Sequence, residues 1–286
     1  MANVSNSLTE SKKKPKFSMI LQTDSIQKLI NNTLGEPKKA QRFITAISSA
    51  VATNQALQEC DGFSIINSAL LGETLNLSPS PQLGQYYMVP YNDKKKGKVA
   101  TFQLGYKGYI QLAIRSGEYK RINVLLIKEG ELINYDPLNE ELEVNLMKDE
   151  LARENAKTIG YYAMFELVNG FKKTMYWSKE KMEAHALKYS QGYKVKKGYT
   201  FWEKDFDAMA TKTMLRQLIS KWGIMSIELQ TAFENDMTFK DKQDGEAFYV
   251  DVEETPNINS DVVVNEQLEV PAQEAQQEAE PQQDLL

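Results

Sequence analysis

Apolar residues recur at helical spacing through the first quarter of the chain and at strand spacing beyond it. Between residues 17 and 77 they fall three and four apart, as in Ile26, Leu29, Ile30 and again Phe43, Ile44, Ile47, Val51, which predicts a run of helices. Gly35 with Pro37 separates two of them, and Asp61 is placed to cap another through Ile65, Ile66 and Leu70. The run SPSPQLG at residues 78–84 is a loop. QYYMVPY and VATFQL then flank the turn NDKKKGK, predicting a hairpin whose Lys-rich tip includes Lys98. After KRINVLLIKEG, a strand, and a weaker stretch to about Val144, a second hairpin turns on Asn169-Gly170, a strong short-range hairpin signal. Ser178 caps a helix to about Tyr189, and a polar loop, SQGYKVKKGY, leads to a long helix over residues 201–222. Thr200 and Glu203 form the capping box that starts this helix, and a last helix covers about 226–235.

The segment FQLGYKGYIQLAIRSGEYKR at residues 102–121 reads as strand, glycine turn, helix, glycine stop, strand. Its helix carries Lys107, Gln111 and Arg115 at i, i+4 and i+8, a cationic rail, with Ile110, Leu112, Ala113 and Ile114 on the buried side. Tyr106 and Tyr109 flank the rail, and Lys120 and Arg121 continue the charge beyond Gly117. Cations fixed beside aromatic rings suit a sugar-phosphate backbone held without reading base sequence. An ordinary amphipathic helix with a solvated basic face has the same spacing.

The long helix repeats the theme. Its apolar stripe is Trp202, Phe206, Met209, Ala210, Met214 and Leu218; Lys212 and Arg216 lie one turn apart, with Lys221 near the end, where the helix dipole favours a cation. In the preceding loop Lys194, Lys196 and Lys197 alternate with Tyr193 and Tyr199, a composition suited to a clamp on a strand.

Charge changes the picture. The chain carries a formal −5, yet residues 243–286 hold 12 acidic residues and no Lys or Arg, leaving residues 1–242 at +7. This last segment has no aromatic after Tyr249 and cannot bury enough apolar surface to offset its ordering entropy, so a disordered tail is expected over 243–286. Such a tail could compete for the basic surface, dock a partner or simply solubilise. A flexible basic arm is expected over 1–16 and a single domain over 17–240, with a helical lobe at about 17–77 and an α+β core at about 84–235.

Several chemistries are set aside. No GxxxxGK[ST] loop is present; Gly97-Lys98 is followed by Val99, so an ATP-driven strand-exchange engine is not expected. One histidine, His185, and one cysteine, Cys60, leave no zinc site, and His185 is expected on a helix surface. No metal or other cofactor is expected. Glu118-x-Lys120 is a weak nuclease signal without a well-placed upstream Asp. The lone cysteine, the lack of a membrane-length apolar run and the short FSMIL after KKKPK predict a cytoplasmic protein.

Over residues 57–233 the chain resembles the RecT family of phage and prophage single-strand annealing recombinases, most densely at LGQYYMVPY, at LGYKGYIQLAIRSG, and at MATKTMLRQL with the following SIELQ. Tyr106, Lys107, Gly108, Arg115, Ser116 and Gly117 match the family's central motif; Met209, Lys212, Thr213, Arg216 and Lys221 match the C-terminal one. Phe206 stands where the family more often has Trp, with Trp202 one turn earlier. The resemblance implies an α+β fold, a curved antiparallel sheet braced by a long helix with a helical lobe before it. It also implies rings or helical filaments, and partnership with a 5′–3′ exonuclease and a host single-strand-binding protein. The expected DNA contacts are Lys98, Tyr106, Lys107, Tyr109, Arg115, Lys120, Arg121, Lys196, Lys197, Trp202, Phe206, Lys212, Arg216 and Lys221. The expected activity is ATP-independent annealing of complementary single strands; a passive single-strand binder or an RNA-binding protein has the same electrostatic support.

Overall fold

The computed structural model describes residues 15–93, 95–198, 200–236, 239–241 and 247–249. The expected arm, up to residue 14, and nearly all of the expected tail lie outside them. The chain begins with helices α1 (Phe17–Leu21), α2 (Asp24–Leu34), α3 (Pro37–Ala52), α4 (Gln55–Gln58) and α5 (Gly62–Thr74). Gly35 ends α2 in the left-handed conformation at φ 72°, and Pro37 opens α3 where no amide partner is needed. Asp61 caps α5 as expected, its carboxylate accepting from Ser64 N at 2.9 Å.

A hairpin follows, β1 (Tyr86–Asp93) and β2 (Gly97–Leu104), in continuous antiparallel register from Tyr86↔Leu104 to Asp93↔Gly97. Helix α5 lies on it. Ser68 Oγ donates to Ala100 O at 3.1 Å, Ser64 Oγ accepts from Ala100 N at 2.8 Å, and the Tyr86 ring covers Gly72. Helix α6 (Tyr106–Arg115) leads into β3 (Tyr119–Lys128), which pairs with β6 (Thr158–Leu167), which pairs with β7 (Lys172–Ser178). Between β3 and β6 come the small hairpin β4 (Leu132–Asp136) and β5 (Glu141–Val144), then α7 (Glu150–Asn155). Arg153 of α7 donates to the fully buried Glu131 at 2.6 Å and to Leu126 O at 2.7 Å, which fastens this excursion to the sheet. Burial opposes ionisation of Glu131, but hydrogen bonds from Arg153, Lys128 N and Met147 N outweigh it and hold the carboxyl below its ordinary range.

After β7 come α8 (Lys179–Tyr189), α9 (Gln191–Lys194), α10 (Phe201–Lys204), α11 (Phe206–Trp222) and α12 (Ile227–Asn235). The helix expected over 201–222 is two. The Thr200–Glu203 capping box is present, but it caps only the single turn of α10; Asp205, at φ −148° and ψ 84°, breaks the run and caps α11 through Ala208 N. Helix α11 packs its Met214, Leu215, Leu218 and Ile219 against the β3–β6–β7 sheet. Asp207 pins it there, accepting from Tyr161 Oη at 2.6 Å and Thr158 Oγ1 at 2.8 Å. The last strands, β8 (Phe239–Asp241) and β9 (Ala247–Tyr249), pair antiparallel. Strand β9 therefore falls inside the stretch expected to be a tail, where the aromatics Phe248 and Tyr249 favour a strand.

One cluster of buried side chains runs from Leu21 to Ala232, so the helical lobe and the sheet share a core. Among the described residues, no helix is long and apolar enough to cross a membrane, and no group of three or more His, Cys, Asp or Glu is placed to hold a metal ion.

His185, expected on a helix surface, is half-buried on α8. Its ring lies 4.6 Å from Tyr189 and 5.4 Å from Trp177, and burial, with the charges of Lys188 and Lys221, pushes the imidazole down to about 4. The unfolded chain takes up this proton first, near 6.5, so the stabilisation is complete above that pH and is lost as pH falls toward 4. Urea unfolding of the wild type is expected to lose roughly 2 kcal/mol more between pH 7 and pH 5 than His185→Phe does. Equal losses in the two proteins would remove the assignment.

Candidate nucleic-acid interface

Three glycines bring the first two motif segments together. A Cβ on Gly105 would lie 2.1 Å from Gly84 O, and one on Gly108 would lie 2.0 Å from Gln85 O. Their absence lets the first turn of α6 sit directly on the backbone before β1, where Gly105 N donates to Gln85 O at 2.8 Å. The Tyr87 hydroxyl and the Lys107 side chain both flank Gly84. Tyr87 is half-buried, with its hydroxyl pKa raised by burial, and Lys107 is exposed. Across the hairpin from Tyr87 stands Gln103, buried, whose Nε2 has no hydrogen-bond partner. Such an unmet donor costs about 1–3 kcal/mol. Tyr87 was overlooked in the sequence; the alternation along β1, Tyr86 inward and Tyr87 outward, was the available signal.

The third motif segment joins underneath. Arg216 Nη1 donates to Asp236 Oδ2 at 2.9 Å and to Tyr109 Oη at 3.0 Å; Tyr109 Oη donates to Asp236 Oδ2 at 2.5 Å, and Leu104 N to Asp236 Oδ1 at 3.2 Å. One carboxylate thus ties β2, α6 and α11 to the end of α12. Its side chain is fully buried and that of Arg216 is 16% exposed. The Arg216 guanidinium also lies 5.2 Å from the Phe233 ring. Burial, then the Asp236 charge, raises the Tyr109 hydroxyl far above its ordinary value. Half-buried Lys212 belongs to the same cluster, its amine lowered by burial against the pull of Asp236. Asp236 was missed because no motif marks it.

This geometry redistributes the expected contacts. Tyr109 is 0% exposed and does not flank the rail. The buried stripe of α6 runs through Gly108, Tyr109, Leu112 and Ala113, which leaves Ile114 44% exposed beside Lys107, Gln111 and Arg115. Arg115 is a latch to the helical lobe, donating to Leu75 O at 2.5 Å and Asn76 O at 3.2 Å. Trp202 is buried against Phe206 at 5.1 Å and Tyr193 at 6.3 Å, and Phe206 is half-buried. These rings form the floor beneath the basic loop, so Trp202 offers no face to a base in this state.

The remaining cations face outward. Lys120 pairs with Glu166 at 2.8 Å with its own side chain 64% exposed, and Arg121 follows it on the surface. Lys98 pairs with Glu59 at 2.7 Å. Tyr106 is half-buried, its hydroxyl pushed up to about 12 by burial. Lys196 and Lys197 are exposed on the α9–α10 loop, and Lys221 is exposed near the end of α11. Lys107, Lys120 and Arg121 lie on one continuous segment, α6 into β3, while the loop lysines belong to the separate Tyr193–Trp202–Phe206 floor.

The family model of the RecT family matches residues 41–250, which takes in every member of this arrangement. The chain belongs to the RecT family. It is 46% identical over 213 residues to the protein YqaK of Bacillus subtilis strain 168, covering 74% of this chain and 69% of the relative. It is 28% identical over 200 residues to Protein RecT of Escherichia coli strain K12, covering 69% and 71%. Membership in the RecT family supports single-strand annealing recombination as the general function, and with it single-stranded DNA binding.

Proposed function

We propose that the chain anneals complementary DNA strands without nucleotide hydrolysis, holding one strand on the surface that runs from Tyr87 and Lys107 to Lys120 and Arg121. The exposed lysine beside a tyrosine at the glycine-built junction carries this reading most directly. The cations neutralise phosphates, and Tyr87 offers a ring edge. Held by its backbone, the strand keeps its base edges outward, where a second strand samples register and pairs. Stacking of about 1.4 kcal/mol per step then drives the product without an external energy source. Lys196, Lys197 and Lys221 extend the cationic surface; Tyr109, Lys212 and Arg216 act beneath it as positioning residues. Residues 17–240 act as one annealing domain, several copies assemble along the strand, and an exonuclease that exposes single strands is the natural supplier of substrate.

Mixing complementary labelled oligonucleotides with and without protein tests the activity. Faster annealing, unchanged when ATP is omitted, is expected; no acceleration over a range of protein concentrations would leave a passive binder. Lys107→Ala and Arg121→Ala should each flatten the plot of log affinity against log salt by about 0.7, the single-strand value per phosphate contact, whereas Lys148→Ala should not. An unchanged slope in the first two would move the strand to another face.

A further inference from the structure

Trp222 stands on the surface at the C-terminal end of α11, 51% exposed, whereas Trp202 is buried and Trp177 half-buried. One face of its ring is taken, because the Lys173 ammonium lies 3.5 Å from the ring centroid. Lys173 also pairs with Glu140, and its side chain is only 14% exposed, so the cation that backs the ring is anchored. A ring backed on one side and still half exposed has its other face open to solvent. An indole held in this way has lost its freedom before a ligand arrives, which lowers the ordering cost of a stack on the open face.

The turn after Trp222 is seated on the start of β3. A Cβ on Gly223 would lie 2.2 Å from Tyr119 Oη, and that hydroxyl donates to Ile224 O at 2.9 Å. The next two residues of β3 are Lys120 and Arg121, where the strand-holding surface described above ends. Exposed Lys221 precedes the ring, and exposed Lys172 shares the Glu166 carboxylate with Lys120, at 3.8 and 2.8 Å. A flat apolar face among cations fits a nucleobase carried on a polyanionic backbone. We propose that Trp222 stacks a base of the held strand, the first base contact beyond Lys120 and Arg121. This rests on the reading above that the strand runs along α6 and into β3. A stack uses the face of a base and leaves its Watson–Crick edge free to pair, and every base has such a face, so the contact serves annealing at any sequence.

Binding of the full chain to oligo-dT and to an abasic strand of equal length tests it. Trp222→Ala should weaken binding to oligo-dT about tenfold, keep the wild-type salt slope because no phosphate contact is lost, and leave the abasic strand unaffected. Trp222→Phe should restore most of the affinity, since a smaller ring still stacks. Tryptophan emission gives a second readout that does not depend on the alanine variant folding. Oligo-dT should quench the wild type, while Trp222→Phe should bind the strand and lose most of that quench. Wild-type affinity in Trp222→Ala, an equal loss on the abasic strand, or an undiminished quench in Trp222→Phe would each overturn the stack. A changed sedimentation of the DNA-free Trp222→Ala protein with full affinity for oligo-dT would assign the ring to a protein contact instead. The salt slopes of Lys107→Ala and Arg121→Ala test the strand surface separately: flattened slopes without a base-dependent loss at Trp222 would overturn this inference alone.

Discussion

Asp236→Ala is expected to lower the stability of the folded chain by about 3–5 kcal/mol, the range for removing one partner of a buried ion pair. The substitution leaves the part-buried Arg216 cation without its carboxylate, the buried Tyr109 hydroxyl without its acceptor and the Leu104 amide without a partner. Each loss is a desolvation cost that folding no longer offsets. In a domain of this size the thermal midpoint should fall on the order of 10 °C. Arg216→Ala should be milder, since Tyr109 and Leu104 N still satisfy Asp236, although the carboxylate then lacks its counter-charge. Calorimetry of the two variants and of Arg216→Ala/Asp236→Ala decides the matter through the coupling between them. If Arg216 instead served only to bind phosphate, Arg216→Ala would keep the wild-type midpoint and the double variant would match Asp236→Ala alone.

This network also marks what the sequence conceals. The caps at Asp61 and Ser178 and the Asn169-Gly170 turn are chemistry of near neighbours, and all are where their residues predict. The broad fold is equally legible, because apolar spacing separates the helical first quarter from the strands that follow. Tyr109 was assigned to the surface because its neighbours Lys107 and Gln111 are polar. Its burial depends on a carboxylate 127 positions away that no local pattern ties to it. The break at Asp205 escaped for a related reason: a good capping box at Thr200 accounts for one helix start and hides a second five residues later. The cationic rail illustrates the same limit. Spacing puts Lys107 and Arg115 on one face, but only the backbone carbonyls of Leu75 and Asn76 turn Arg115 into a latch.

Gly108→Ala should weaken single-strand binding about tenfold without removing any charge. Alanine is the better helix former, by about 1 kcal/mol, so propensity alone predicts stabilisation. The new Cβ would lie 2.0 Å from Gln85 O, however, and a backbone carbonyl cannot rotate aside as a side chain can. Relief requires α6 to lift from the strand, an overpacking cost of about 3 kcal/mol that exceeds the propensity gain. The lift carries Lys107 away from Tyr87, so stability and binding should fall together, and annealing with them. Gly117→Ala separates this cause from a general effect of losing glycine. Nothing lies within 4 Å of its Cβ position, but its φ of +74° strains any L side chain, a cost of about 1–2 kcal/mol. That variant should lose some stability and keep its affinity for the strand, because the seat of α6 on Gln85 is untouched. Equal losses of affinity in the two variants, or full affinity in Gly108→Ala, would show that the junction at Gly84 is not where the strand is held.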